Sequence, residues 1–464
     1  MTRASVTPRS GPGKAESAHP PSAERRRAPA PGPHITELAE LRANPMPPPR
    51  PAPPPDRRGS PGGSGRGAAA AVRERPPRRP FVRARSRRFG YKPVAMDFFA
   101  TAAKGTEPAL RDELRELRFR GVRADRGGVH FSGAADEGFR ACIELRTAVR
   151  VLTELASFDA PSGDALYEGV SRVDWAPYLS PVHTLAVRAS CRSSALTHTQ
   201  FIAQRTKDAI VDQIRRRVGA RPSVDLDDPD LALFVHLVRD RATLYADLGG
   251  AALHRRGYRT HIGGAPLKET LAAALLRLSG WDRARPFVDP MCGAGTIALE
   301  AALWARDIAP GLRAQRFGFE RWACHDQAAA QRTTALRDAA RARIRPEGPP
   351  ILAADIDPRA AEITRGNARM AGVQIEVRCQ PITAIAPTEP PGHVLTNPPY
   401  GERLPGTLAL YRDMAAALSR LAGHRVALLA GTEDIERAMR RRPERSLTVF
   451  NGPIECRLLT YDIP

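Results

Sequence analysis

Apolar and polar positions along residues 97–155 fall into short runs of two kinds. Phe98 to Ala102 is strand-like, Glu107 to Leu117 helical, Gly128 to Phe131 again strand-like and Gly138 to Leu145 again helical. Thr106, ahead of Glu107 and Pro108, reads as a helix start, with threonine at the cap and proline in the first turn. Residues 96–160 are therefore expected to form a small α+β unit. A second α+β unit is expected over 161–260, from a strand at His183 to Ala189, a helix at Thr199 to Val218 and a hairpin-like pair at Leu231 to Arg239 and Arg241 to Asp247.

From residue 261 the periods alternate regularly. Strands are predicted at Pro286 to Pro290, Ile351 to Asp355, Ile375 to Arg378, His393 to Thr396 and Arg425 to Ala430. Helices are predicted at Ile297 to Arg306, after Asp357 (cap) and Pro358 (first position), and at Leu408 to Leu421. Leu447 to Phe450 and Cys456 to Tyr461 read as a closing antiparallel hairpin. Such alternation predicts an α/β domain over 261–464: an open, mostly parallel sheet covered on both faces, with ligands binding beyond the carboxyl ends of the strands.

Residues 1–95 break the pattern. They hold 20 of the 44 prolines and almost no apolar periodicity, too little to offset the entropy of ordering, so a disordered Pro/Arg-rich tail is expected. It reads as a basic arm for RNA phosphates or as an upstream extension with translation starting at Met96; the abrupt onset of pattern at Met96 favours the second. The tail carries 20 Lys/Arg against 6 Asp/Glu, so most of the formal +21 lies there, and the charge is a weaker pointer to nucleic acid than it looks. No apolar run is long enough for a membrane span and no secretory signal pattern opens the chain. Cys142, Cys191, Cys292, Cys324, Cys379 and Cys456 are scattered, without a Cys-x-x-Cys pair, and read as reduced thiols of a cytoplasmic protein with no metal site.

Three segments carry candidate chemistry at the ends of predicted strands. Asp289-Pro290-Met291-Cys292-Gly293-Ala294-Gly295-Thr296 is a glycine loop that lets the backbone approach a ligand, although a lone Gly-x-Gly is a weak signal. Asp355 stands where a carboxylate can take both hydroxyls of a ribose. In Asn397-Pro398-Pro399-Tyr400, two prolines remove backbone donors and fix the chain. The Asn397 side-chain oxygen and the Pro398 carbonyl are then acceptors for both hydrogens of an exocyclic base amine, and Tyr400 offers a stacking face. The order of loop, acid and tip along one sheet makes the joint signal strong. Upstream, Arg255, Arg256, Tyr258 and Arg259 mix phosphate-pairing and stacking side chains, as single-stranded RNA contacts do, or else form a solvated interdomain loop.

On these residues, with Leu253 to Arg259, Ala265 to Glu269, Phe317 to Trp322, Asp355 to Pro358, Asn367-Ala368, Asn397 to Leu404 and Tyr461, the chain resembles the class I S-adenosylmethionine-dependent methyltransferases. It is most similar to the bacterial THUMP-domain family that methylates guanine N2 in large-subunit ribosomal RNA. The resemblance covers about residues 97–462. It implies a ferredoxin-like part and a THUMP domain for RNA capture, then a Rossmann-like methyltransferase domain. It further implies Asp289, Gly293 and Gly295 on the methionine side of S-adenosylmethionine, Asp355 on the ribose with Asp357 nearby or capping a helix, and Asn397, Pro398 and Tyr400 around the base.

One departure stands out: where the family places an aspartate for the adenine amine, this chain has Gln380, which leaves either its side-chain carbonyl or backbone groups alone to hold the adenine. Lys268 and Glu269 read as the start of a surface helix, or as contacts to the cofactor's amino acid end. The substrate expected is ribosomal RNA, with transfer RNA guanine or adenine N6 as the alternatives. A non-catalytic RNA-binding or assembly factor is the alternative of another class.

Overall fold

The computed structural model describes residues 95–259, 267–401 and 406–464. The expectations for 1–94, for Ala265 and Pro266, and for Glu402 to Leu404 lie outside the described residues.

The amino-terminal half runs β1 (Met96–Thr101), α1 (Glu107–Glu116), β2 (Arg120–Asp125), β3 (Gly128–Gly133), α2 (Ala135–Glu144), β4 (Arg150–Asp159), α3 (Gly163–Ser171), β5 (Thr184–Arg192), α4 (Thr199–Val218), β6 (Ser223–Val224), β7 (Leu231–Val238) and β8 (Arg241–Asp247). The strands form one eight-stranded sheet in the order β2-β3-β1-β4-β8-β7-β5-β6. The two α+β units expected here are thus stitched together by β4, which pairs antiparallel with β1 on one side and β8 on the other.

Besides the two-residue β6, three elements of this half were not legible in the sequence pattern. β2 is a solvent-facing edge strand of charged and small residues, with no apolar alternation to betray it. β4 is buried through its first half, then changes register between Glu154 and Ala156, and the irregularity breaks the period-two signal. The third is the short helix α3. Thr106 does occupy the cap position of α1, but its hydroxyl donates back to the Ala103 carbonyl at 2.7 Å and does not cap the helix.

The carboxyl-terminal half contains α5 (Glu269–Leu278), β9 (Phe287–Asp289), α6 (Thr296–Ala305), α7 (Gln327–Ala342), β10 (Ile351–Asp355), α8 (Pro358–Ala371), β11 (Glu376–Cys379), β12 (His393–Thr396), α9 (Leu408–Leu418), β13 (Arg425–Ala430), α10 (Glu433–Met439), β14 (Arg445–Asn451) and β15 (Ile454–Asp462). Its sheet has the order β11-β10-β9-β12-β13-β15-β14, with the first five strands parallel and the closing hairpin antiparallel. Side chains alternate across it: Phe287 enters the core shared with α5 and α6, and its neighbour Val288 the core shared with α9. The strand order reverses between β9 and β12, which opens a crevice at their carboxyl ends.

α5 is a correction to the surface helix expected there, because almost all of it is buried, Glu269 included. Arg277 on α5 pairs with Glu116 of α1 at 2.7 Å, one of several ties between the halves. Phe317 to Trp322 forms another, with Phe319 stacked on Phe139 at 3.9 Å between ring centres and its amide bonded to the Leu248 carbonyl. Among the described residues no helix is long and apolar enough to cross a membrane.

Candidate active site

β9 delivers Asp289 to the floor of the crevice. The side chain is buried; its Oδ1 accepts from Thr396 Oγ1 at 2.8 Å and, more weakly, from the Met291 amide at 3.4 Å. Loss of water pushes its carboxyl up to about 7; the two hydrogen bonds oppose this, and the nearby Asp355 adds to it.

The chain then turns through the glycine loop. Gly293 has φ +54 and a Cβ there would meet nothing within 4 Å, so its bare backbone faces open space. Gly295, at φ +79, is a packing glycine: a Cβ would lie 2.6 Å from the Thr364 side chain. α8 holds the loop from behind. Thr364 Oγ1 donates to the Gly293 carbonyl at 2.9 Å and Asn367 Nδ2 to the Ala294 carbonyl at 3.0 Å.

β10 delivers Asp355. One carboxylate oxygen accepts from the Gly293 amide at 2.8 Å and the other from the Asp357 amide at 3.0 Å, so the carboxylate is fixed against the loop. Asp357 is a helix cap, accepting from the Arg359 amide at 2.8 Å at the start of α8. Gln380 follows β11, half-buried, and its amide donates to the Asp355 carbonyl at 3.0 Å.

β12 delivers the third segment. Thr396, which holds Asp289, is directly followed by Asn397, so one hydrogen bond joins the loop to the tip. Asn397 Oδ1 is buried and has no hydrogen-bond partner. Pro398 is buried behind it. The Pro399 carbonyl accepts from Tyr411 Oη of α9 at 2.8 Å. The Tyr400 ring lies against the backbone of Gly431, where a Cβ would come within 2.2 Å of it, and its oxygen accepts from Asn451 Nδ2 at 3.1 Å. A buried acceptor without a donor is costly in a folded protein, and among the described residues the Asn397 oxygen is one of several buried polar atoms that have no partner within the protein.

The four residues expected to touch RNA divide. Arg255 is exposed. Tyr258 is 1% exposed and donates to Glu300 Oε1 at 3.0 Å, so it has no face to offer a base. Arg256 is 5% exposed; its guanidinium donates to the carbonyls of Leu253 and Arg146 and lies 3.5 Å from Glu300. Arg259 is half-buried and pairs with Glu269 at 2.8 Å. The segment is therefore a buried joint between the halves, since phenol and guanidinium groups can satisfy buried carboxylates as well as nucleic acid. Burial pushes the Glu269 carboxyl up to about 6 against the opposing pull of Arg259.

Sequence reasoning missed the supports: Thr396, Thr364, Tyr411, Gly431 and Asn451. Only Thr396, adjacent to the Asn-Pro-Pro-Tyr tip, and Thr364, three residues before Asn367 on one helix face, left a local signal.

Comparison with known proteins adds to this geometry. Residues 97–152 match the RlmL ferredoxin-like domain, 161–247 the THUMP domain and 256–460 the RMKL-like methyltransferase domain. A ribosomal RNA large subunit methyltransferase K/L of Methylococcus capsulatus is 44% identical over 382 residues, which make up 80% of this chain and 52% of the relative. The chain spans about half the length of the curated relatives it matches. Among solved structures, a candidate methyltransferase complexed with SAH is 30% identical, with TM-score 0.73 over 80% of this chain and 98% of its own. A protein of Listeria monocytogenes predicted to be an N6-adenine-specific DNA methylase is 32% identical, with TM-score 0.71 over 80% and 97%.

Proposed function

The chain belongs to the RMKL-like methyltransferase family, with a THUMP domain ahead of the methyltransferase domain, and from that membership we propose that it methylates the exocyclic N2 amine of a guanine in RNA, large-subunit ribosomal RNA first, using S-adenosylmethionine. The observation that carries the reading is the orphaned Asn397 oxygen at the tip of β12. An exocyclic amine brings the donor that this acceptor lacks, and accepting its hydrogens draws the nitrogen lone pair out of the ring toward the methyl group.

The donor set fits the cofactor. Gly293 leaves open space at the loop, the Asp289 carboxyl lies buried beneath it, and the Asp355 carboxylate, held by the Gly293 and Asp357 amides, is the group we assign to the ribose hydroxyls. S-adenosylmethionine, when bound, supplies an already electrophilic methyl group, so little acid–base chemistry is required of the protein. What this chain's residues contribute is position: Asp289 and Asp355 hold the cofactor, Asn397 and the Pro398 carbonyl hold the amine, and Tyr400 holds the base plane. RNA as partner and a cytoplasmic location follow from the same reading.

The test is nucleoside mass spectrometry of ribosomal and transfer RNA from cells with and without the gene, then add-back of enzyme with labelled S-adenosylmethionine. Loss and restoration of N2-methylguanosine in large-subunit RNA is the expected result. Loss confined to transfer RNA moves the substrate. Loss of N6-methyladenosine, in keeping with the description of the Listeria relative, overturns the base. No change in any methylated nucleoside leaves an RNA-binding factor. In the add-back, Asn397→Ala is expected to lower turnover by about 100-fold while cofactor binding persists, in line with removal of one oriented polar group at a reacting centre.

A further inference from the structure

Asn451 sits at the end of β14, the edge strand of the carboxyl-terminal sheet, yet its side chain donates to Tyr400 at the tip that follows β12, at 3.1 Å. Cys456 Sγ, on the paired strand β15, approaches the same phenol oxygen at 3.5 Å. The residue before Asn451 faces the amino-terminal half. The Phe450 amide donates to the Lys104 carbonyl at 3.1 Å, and Lys104 Nζ lies 3.7 Å from the centre of the Phe450 ring. Gly105, at φ +87, comes so close to β14 that a Cβ would lie 2.3 Å from the Thr448 carbonyl. The turn 103–105 is itself tied to the start of α1, where Glu107 accepts from the Gly105 amide at 2.8 Å and the Gly127 amide at 3.1 Å. Covering a sheet edge accounts for the Phe450–Lys104 bond. It does not call for a side-chain amide committed to Tyr400.

We propose that the β14–β15 hairpin is a strut fixing the tilt of Tyr400 relative to the amino-terminal half, with Asn451 as the positioning residue and Lys104 as its far anchor. This rests on the methyl-transfer reading for the role of Tyr400 as the face of the target base. Adjacent strand residues necessarily point to opposite sides, so Phe450 and Asn451 connect the two halves through one rigid element of two packed contacts, a contiguous physical link of the kind coupling requires. RNA held by the amino-terminal half would then meet a base platform in fixed register with its own binding surface.

The experiment uses the full chain with Asn451→Ala, Tyr400→Phe, their double variant, Lys104→Ala and Lys104→Arg. Methylation of large-subunit RNA is measured together with amide hydrogen exchange at Tyr400 and Gly401. Asn451→Ala is expected to lower kcat about tenfold with the RNA KM and cofactor Kd changed less than twofold, and the double variant to fall no further than either single one. Lys104→Ala is expected to raise exchange at Tyr400 and Gly401 at least threefold, without a change at the Asp355 end of β10, and Lys104→Arg to restore it. Additive losses in the double variant, a loss carried by KM alone, or unchanged exchange in Lys104→Ala overturns the proposal. If the wild-type chain transfers no methyl group, the functional reading fails while the exchange measurements still decide the strut.

Discussion

Asp289 lies under the crevice with a carboxyl pushed up to about 7 by loss of water. Because this value is above that of the unfolded chain, the folded protein keeps a proton that the unfolded chain gives up. The sign follows: any stability from this group is present below about pH 4 and lost as pH rises toward 7, on the order of 4 kcal/mol in all. Urea unfolding from pH 4.5 to 7.5 should show this decline in the wild type and a flatter profile in Asp289→Asn. A cationic ligand beside the same group favours its ionised form, so S-adenosylmethionine binding is expected to release a proton near pH 7 in the wild type and not in Asp289→Asn, as calorimetry in two buffers would show. Gln380, half-buried beyond β11, is the residue that the resemblance sets in place of an acidic contact to the adenine amine. Gln380→Asp is expected to tighten cofactor binding several-fold, a charge-assisted hydrogen bond being roughly twice as strong as a neutral one; titration of the purified variant checks it.

The elements that form the site differ in how openly the sequence displays them. α8 announces its start with Asp357 and Pro358 and its end with Gly372 at φ +66, and β10 and β12 are short apolar runs. What α8 does to the loop is not visible there, because the contact of Thr364 with Gly295 joins residues 69 positions apart. Gly295→Ala forces both a left-handed backbone on a residue with a Cβ and a clash with Thr364. It should cost about 2–3 kcal/mol in unfolding free energy and weaken cofactor binding. Thr364→Ala in the same chain relieves the clash but not the backbone strain, so recovery should be partial; full recovery would show that φ is unimportant at this position. β4 failed to appear in the pattern for a related reason: its register shift serves pairing with β8, a strand about 90 residues away.

At the scale of the molecule, the joint at 253–259 couples the amino-terminal half to the methyltransferase domain. Arg256 and Glu300 are both buried and Tyr258 shares the same carboxylate. Removing one member of a buried pair strands the other, at about 3–5 kcal/mol. Arg256→Ala should therefore lower stability by about that amount in denaturant unfolding, whereas exposed Arg255→Ala should leave stability within about 0.5 kcal/mol. If Arg255 meets RNA phosphate, its loss should instead weaken RNA binding and reduce the salt dependence by about one contact. Equal effects of the two variants on stability would refute the distinction.

The sequence by itself determined the alternating α/β half, the order of loop, acid and tip along its sheet, and the glycine and proline conformations, because each is written in residues that are neighbours in the chain or repeat at a fixed period. The tertiary structure alone decided which polar groups face a ligand and which face one another. Tyr258 and Arg256 are chemically fit for RNA, and only the packing of Glu300 and of the Leu253 and Arg146 carbonyls beside them turns them inward. Asn397 is one asparagine among several in the sequence, and only packing leaves its oxygen buried with nothing to accept from. The merging of two small units into one sheet, and the reach of Asn451 to Tyr400, depend on strands meeting across long loops. Such contacts are set by the balance of burial over the whole chain and leave no local pattern to read.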